Sequence, residues 1–173
     1  AKDDSGTTAT CKVTVYEKTA ITTQPQDAAV TEGESVTFSV EASGSEPLTY
    51  QWQESADGGQ NWTDIGGATS AEYQTAATTL EMNGRQYQCI VTGAGGSVTS
   101  DAVTLTVNPA LYTVTVETDG NGTASASPAS ATAGTTISLS AAPAGGFHFE
   151  RWEVVSGSVT IADNAFTMPA ENV

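Results

Sequence analysis

Basic residues are scarce in this chain. Five lysines and arginines stand against twenty aspartates and glutamates, for a formal charge of −15 at pH 7. Phosphate binding needs clustered Lys and Arg, so this balance argues against a nucleic-acid partner, and anionic membrane surfaces are disfavoured for the same reason. The acids are scattered over outer faces and turns, which describes a soluble, self-repelling surface. Histidine occurs once, at His148, and cysteine twice, at Cys11 and Cys89. A metal site needs several ligands at fitting spacing, and one histidine between two phenylalanines does not supply them. No apolar run approaches the ~20 residues of a membrane span. No signal peptide or sorting motif is present either, so the chain reads as an internal piece of a longer protein. The Leu-, Glu- and Lys-rich runs that build helices are missing.

What is present is Thr, Ser, Val, Ala and Gly in short alternating segments between Gly, Pro, Asn and Asp turns, which predicts an all-β fold. A length of 173 residues allows one large or two to three small domains. A hydrophobic content of 38% is enough for thin sandwich cores. The clearest alternation is Leu48, Tyr50 and Trp52 against Thr49, Gln51 and Gln53. Tyr87, Cys89 and Val91 repeat it, as do Val36, Phe38 and Val40. A period of two is what a strand with one buried face requires.

These three strands, with a Trp on one and Tyr-x-Cys on another, resemble the immunoglobulin sandwich over residues 21–107. The resemblance implies that Trp52 fills the centre and that Tyr87 makes the tyrosine corner. The usual disulfide is absent, because Val40 stands where strand B would carry its cysteine. Bacterial Ig-like domains share this departure, and the run from Gly58 to Ser70 is similar to their second-sheet segment. Expected strands lie at Ser35–Ala42, Leu48–Ser55, Trp62–Ile65, Glu72–Ala76, Arg85–Thr92 and Ala102–Val107, with Gln24–Asp27 as a kink in the first strand. Asp57-Gly58-Gly59 is read as a hairpin turn.

Residues 1–16 resemble the terminal strand of a truncated bacterial group-2 Ig-like domain, with Cys11, Val13 and Val15 on one face of a strand over Thr10–Tyr16. Glu17–Ala20 is read as a linker. A Cys11–Cys89 bridge would be worth about 4 kcal/mol by chain entropy, but its geometry is unfavourable, and two free, buried thiols are expected instead. Asn108-Pro109 marks a boundary. Residues 110–173 resemble the divergent internalin-type B-repeat, a small β domain of bacterial surface proteins. The elements carrying this are Tyr112-x-Val114-x-Val116, the Gly-Thr turn before Ile137, the run Gly146-Phe147-x-Phe149-x-x-Trp152 and Phe166-Thr167-Met168-Pro169. Leu111–Thr118 should form a hairpin with Thr123–Ser127 across Asp119–Gly122, and Trp152 should be core. The family pattern continues into one more strand, so this domain is expected to be C-terminally truncated.

Residues suited to chemistry are few. His148 is read as a surface residue. Glu32 with Glu34, and Glu150 with Glu153, are read as solvated acids rather than a glycosidase pair. The turns at Asp57 and Asp119 lack the spaced ligands of a calcium loop. Lys2, Lys12 and Lys18 precede the sandwich and cannot form an isopeptide within it. No catalytic residue, metal site or cofactor is assigned. The candidate ligand-binding residues are Trp62 and Tyr73, because aromatics on a flat β face can stack on sugar rings. The family resemblances imply a non-enzymatic extracellular module of a bacterial cell-surface or secreted protein. It would act as a spacer or stalk between neighbouring domains of the same protein. The alternatives are an adhesin module for a host glycan or matrix protein and an accessory domain of a carbohydrate-active enzyme.

Overall fold

The computed structural model describes residues 11–173, and the chain divides after Val107 into two compact units. In the first unit, β1 (Ala20–Thr23) and β2 (Ala28–Thr31) flank the kink at Pro25. β3 (Thr37–Ser39) and β4 (Glu41–Ser43) are the two halves of the predicted second strand. Val40 lies between them and donates its N–H to Ala71 O at 3.0 Å, one pair beyond Ser39–Glu72 in the register of β3 with β7. β5 (Thr49–Ser55), β6 (Thr63–Asp64) and β7 (Glu72–Gln74) follow. A 3₁₀ turn at Leu80–Met82 then leads into β8 (Gln86–Gly93). A strand not expected from the sequence, β9 (Gly96–Thr99), then precedes β10 (Val103–Asn108), which coincides with the last predicted strand of this unit.

Their pairing makes two layers. One holds β1 with β4 and β3 with β7; the other runs β2-β10-β8-β5-β6, with β9 also on β8. This is an immunoglobulin-like sandwich. β5 and β8 pair over seven residues, with Trp52 opposite Cys89 and Tyr50 opposite Val91. Trp52, Tyr87, Cys89, Val91 and Leu105 are wholly buried, and Phe38 and Val40 nearly so. Phe38 stacks on Tyr87 with ring centroids 4.9 Å apart, and Tyr73 closes on Trp52 at 6.2 Å. Each such side chain contributes roughly 1.5–3 kcal/mol by leaving water. Trp52 also satisfies its polar end, donating Nε1–H to Ser70 O at 3.0 Å. Val40 lies in the same core cluster as Cys89, so packing occupies the place of a disulfide.

The tyrosine corner is not made. Tyr87 is buried, but its hydroxyl has no hydrogen-bond partner among the described residues. Its ring is held by Phe38 and Tyr73 instead, and burial pushes its pKa up to about 12.

The N-terminal expectations also need correction. Residues 1–10 lie outside the described residues, and 11–19 form no strand. Cys11, Val13 and Val15 are exposed, Val15 at 87%, because among the described residues no neighbouring strand accepts their backbone or covers their face. The predicted linker, in contrast, is packed. Glu17 donates its N–H to Ser45 Oγ at 2.7 Å, and Thr19 is buried. Gly95 admits this segment: a Cβ there would stand 2.0 Å from Glu17 O.

The second unit contains β11 (Tyr112–Thr113), β12 (Gly122–Ser127), β13 (Ser130–Ala131), β14 (Thr136–Pro143) and β15 (Ala165–Thr167). The sheet order is β12-β14-β15, with β11 on β13. The predicted hairpin across Asp119–Gly122 is therefore absent. Val114 gives its N–H to Ala129 O, which draws residues 112–114 beside 129–131, while β12 takes all its partners from β14. Ile137, Met168, Phe166, Ala131 and Val114 form the core. Asp163 and Asn164 both adopt positive φ, near 51° and 57°, and reverse the chain between Ala162 and Ala165. Trp152 is only half-buried and stands outside that core.

Two predictions follow from the cores. Tyr87→Phe removes a buried hydroxyl that has no partner, so it is expected to stabilise the first unit by about 1 kcal/mol. Chemical denaturation measures this, and a loss of stability would show that the hydroxyl is bonded after all. Burial also lifts the Cys89 thiol to about 11. A thiol reagent should therefore titrate one group, Cys11, in the native protein and two in denaturant.

Candidate functional site

Trp62, one of the two candidate binding residues, lies beside the outer face of the β5–β8 sheet. By alternation, the residues that point away from Trp52 are Gln51 and Gln53 on β5 and Gln86, Gln88 and Ile90 on β8. The amides form a cross-strand chain. Gln88 Nε2 donates to Gln53 Oε1 at 2.7 Å, and Gln53 Nε2 donates to Asp64 Oδ1 at 2.7 Å. Gln51 Nε2 is turned to the backbone, bonding Trp52 O and Ile65 O. The one ion pair of the described first unit, Arg85 with Glu54 at 2.8 Å, lies on the opposite face beside Tyr87.

Trp62 stands at the edge of this face, half-buried, in the loop between β5 and β6. Asp57 builds that loop. Its Oδ1 accepts from Ser55 Oγ and from the main-chain N–H groups of Gln60 and Asn61, and its Oδ2 accepts from Asn61 Nδ2. The tight hairpin turn expected at 57–59 is thus a wider loop wound around one carboxylate. Gly59, at φ 85°, lets two groups converge. A Cβ at Gly59 would lie 2.8 Å from Gln86 Oε1 and 3.6 Å from the Trp62 ring. An indole and a side-chain amide thus flank one glycine.

Tyr73 is not part of this arrangement. It belongs to β7 in the other layer and turns its ring inward, 6.2 Å from Trp52 and 5.9 Å from Tyr87. Desolvation, with the nearby Glu54 charge, raises its pKa. The sequence carried the signal: Tyr73 is flanked by Glu72 and Gln74, the pattern of an inward-facing residue. Gln86 was missed because an isolated glutamine on a strand has no distinguishing feature until its neighbours are known.

The second unit has a cleft of about 680 Å³ whose lining includes Leu139, Phe147, His148, Phe149, Trp152 and Ile161. Residues 145–155 form no strand, so the predicted alternation of His148 against the two phenylalanines does not operate; all three are exposed. Phe149 packs against Trp152 at 5.0 Å, and Trp152 Nε1 donates to Asn164 Oδ1. Arg151 pairs with both Glu150 and Glu153, whose charges and hydrogen bonds raise its pKa. Among the described residues, no three His, Cys, Asp or Glu side chains gather where they could hold a metal ion.

The hydrogen bonds onto Asp57 hold its carboxyl at about 2, chiefly through Asn61. A depressed folded-state pKa contributes stability that is present above the ordinary 3.8 and is lost as pH falls toward 2. Carboxyl NMR should show Asp57 titrating near 2, with the Gln60 and Asn61 amide resonances shifting in the same window. Titration at an ordinary carboxylate pH would show that the loop is not wound on Asp57.

Comparison with known proteins adds relatives to this geometry. Residues 112–173 match the model of the divergent InlB B-repeat domain. Endoglucanase C of Cellulomonas fimi is 42% identical over 95 residues, which is 55% of this chain. The chain spans 8% of the length of that protein. Among solved structures, the Sidekick-1 immunoglobulin domains 1–5 align at 22% identity and TM-score 0.45, covering 56% of this chain and 21% of theirs. Titin domain M7 aligns at 23% identity and TM-score 0.43, covering 56% of this chain and 99% of its own. The B-repeat and endoglucanase C matches fit a structural or accessory module of bacterial type. The match that spans most of this chain covers residues 11–109, and by it the chain belongs to the family described as a domain of unknown function, DUF8696.

Proposed function

We propose that this chain is a non-catalytic spacer module of an extracellular bacterial protein, either held at the cell surface or secreted. One observation carries the reading: among the described residues, the displaced ionisable groups are committed to architecture. Asp57 and Asp119 are lowered by the turns they close, Arg151 is raised by its neighbouring acids, and Tyr73, Tyr87 and Cys89 are raised by burial. A general acid or base is tuned toward neutrality, and none of these groups is. The B-repeat match and the small share of endoglucanase C that is matched support a module beside, rather than within, a catalytic domain.

A second reading is favoured by Trp62 with Gln86. A ring beside an amide on an uncharged strip suits a neutral glycan, with stacking on the indole and hydroxyl contacts to the amide. Under this reading the module would serve as an adhesin or as the accessory part of a carbohydrate-active enzyme. Retention of the purified chain on insoluble polysaccharides and immobilised matrix proteins separates the two, with Trp62→Ala run in parallel. The spacer reading expects no retention of either protein. Retention that Trp62→Ala abolishes would replace it with glycan recognition, and retention that survives the substitution would place a binding surface elsewhere on the chain.

A further inference from the structure

Two Asn-Gly pairs occur in the chain, Asn83–Gly84 and Asn121–Gly122, and the fold treats them oppositely. In such a pair the backbone nitrogen of the glycine can attack the asparagine Cγ, because glycine has no side chain to block the approach. We propose that Asn121 is a site of spontaneous deamidation in the folded protein and that Asn83 is protected from it.

The reaction needs a free nucleophilic nitrogen and a side-chain amide able to swing toward it. At Asn83 both are engaged. Gly84 donates its N–H to Leu105 O at 2.8 Å, and Asn83 Oδ1 accepts the Val107 N–H at 2.9 Å. Nucleophile and electrophile are thus held by different residues of β10 and its approach. At Asn121 the nucleophile is free. Ala144 donates to Asn121 O, and Gly122 pairs opposite Pro143 in the β12–β14 ladder. That register makes Gly122–Pro143 a non-hydrogen-bonded pair, which is also why proline is tolerated there. The Gly122 N–H therefore points away from β14, and among the described residues it has no acceptor. The Asn121 side chain is exposed, and its only tether is Nδ2 to Asp119 Oδ2 at 3.1 Å.

The step balances with water alone. Hydroxide takes the Gly122 N–H proton, and the nitrogen forms a bond to Asn121 Cγ. The Cγ–Nδ2 bond breaks, Nδ2 takes a proton from water and leaves as ammonia while hydroxide is regenerated, and a five-membered succinimide results. Water then opens either imide carbonyl to aspartate or isoaspartate. Each event adds one negative charge beside Asp119, and the isoaspartate product reroutes the main chain through a side-chain carbon at the first residue before β12.

The test is to incubate the folded chain at mildly alkaline pH in heavy-oxygen water and to map the peptides by mass spectrometry. The Asn121 peptide should take up label and split into aspartate and isoaspartate forms. It should do so on the order of a hundredfold faster than the Asn83 peptide, the factor expected from two hydrogen bonds that must open first. In denaturant the two rates should converge. Asn121→Gln should abolish labelling of its peptide and leave that of Asn83 unchanged. Equal rates in the folded chain, or a faster Asn83, would overturn the proposal. So would an Asn121 that reacts only after unfolding.

Discussion

The burial of Trp52 against Cys89 is the contact on which the first unit depends. The Trp52 indole is the largest of the rings packed together at the centre of this sandwich, and the neighbouring residues answer to it. Phe38 and Tyr73 approach from the facing layer, while Val40 and Cys89 leave the space the indole needs. The indole N–H would be costly to bury unpaired, and Ser70 O supplies its acceptor from beyond the β6 edge. The same residue is tied at its backbone, accepting from Ile65 and donating to Ala68. Trp52 therefore fixes the core and also the course of the chain from β6 toward β7.

That arrangement explains how the unit does without a cross-layer disulfide. A bridge would stabilise mainly by restricting the unfolded chain, and its absence must be offset by closer packing. Val40 serves twice. Its side chain fills the core, and its N–H bonds Ala71 O in register with the β3–β7 ladder, at the point where one expected strand becomes two. The split lets β3 pair with β7 and β4 pair with β1. Tyr87 shows the limit of the compensation: its ring is fully used in the stack with Phe38, while its hydroxyl is left unpaired.

The period-two pattern made the central strands legible, because a residue with one buried face must alternate. Trp52, Tyr87, Cys89 and Phe38 all sit where that pattern put them. Alternation says which face a residue takes, however, and not which strand lies beside it. For this reason the partner of residues 112–114 was misread: a Gly-Asn-Gly turn suggested β12, while the choice was made by Ala129 O, far from any turn signal. Cys11 was misread for a related reason. Its alternating neighbours describe a strand, but a strand requires a partner, and the described residues offer none to 11–16. The Asp163–Asn164 reversal was visible in principle, since that dipeptide tolerates positive φ at both positions, but its apolar flanks are too short to stand out.

The glutamine strip on the outer sheet face bears on which function the geometry favours. In a chain carrying twenty acidic residues, strand positions 51, 53 and 88 hold amides rather than carboxylates. Carboxylates at 53 and 88 would stand directly opposite one another, and like charges so placed are destabilising. Amides convert the same positions into a donor–acceptor chain that ends on Asp64, where one carboxylate can accept without repelling a neighbour. The strip therefore has a complete structural explanation without any ligand. Trp62 is partly explained in the same way, since its ring covers the gap above Gly59. What the outer sheet face does not require is that the Gln86 amide and the Trp62 ring both flank Gly59, and on this face that pair is the feature left without an architectural reason.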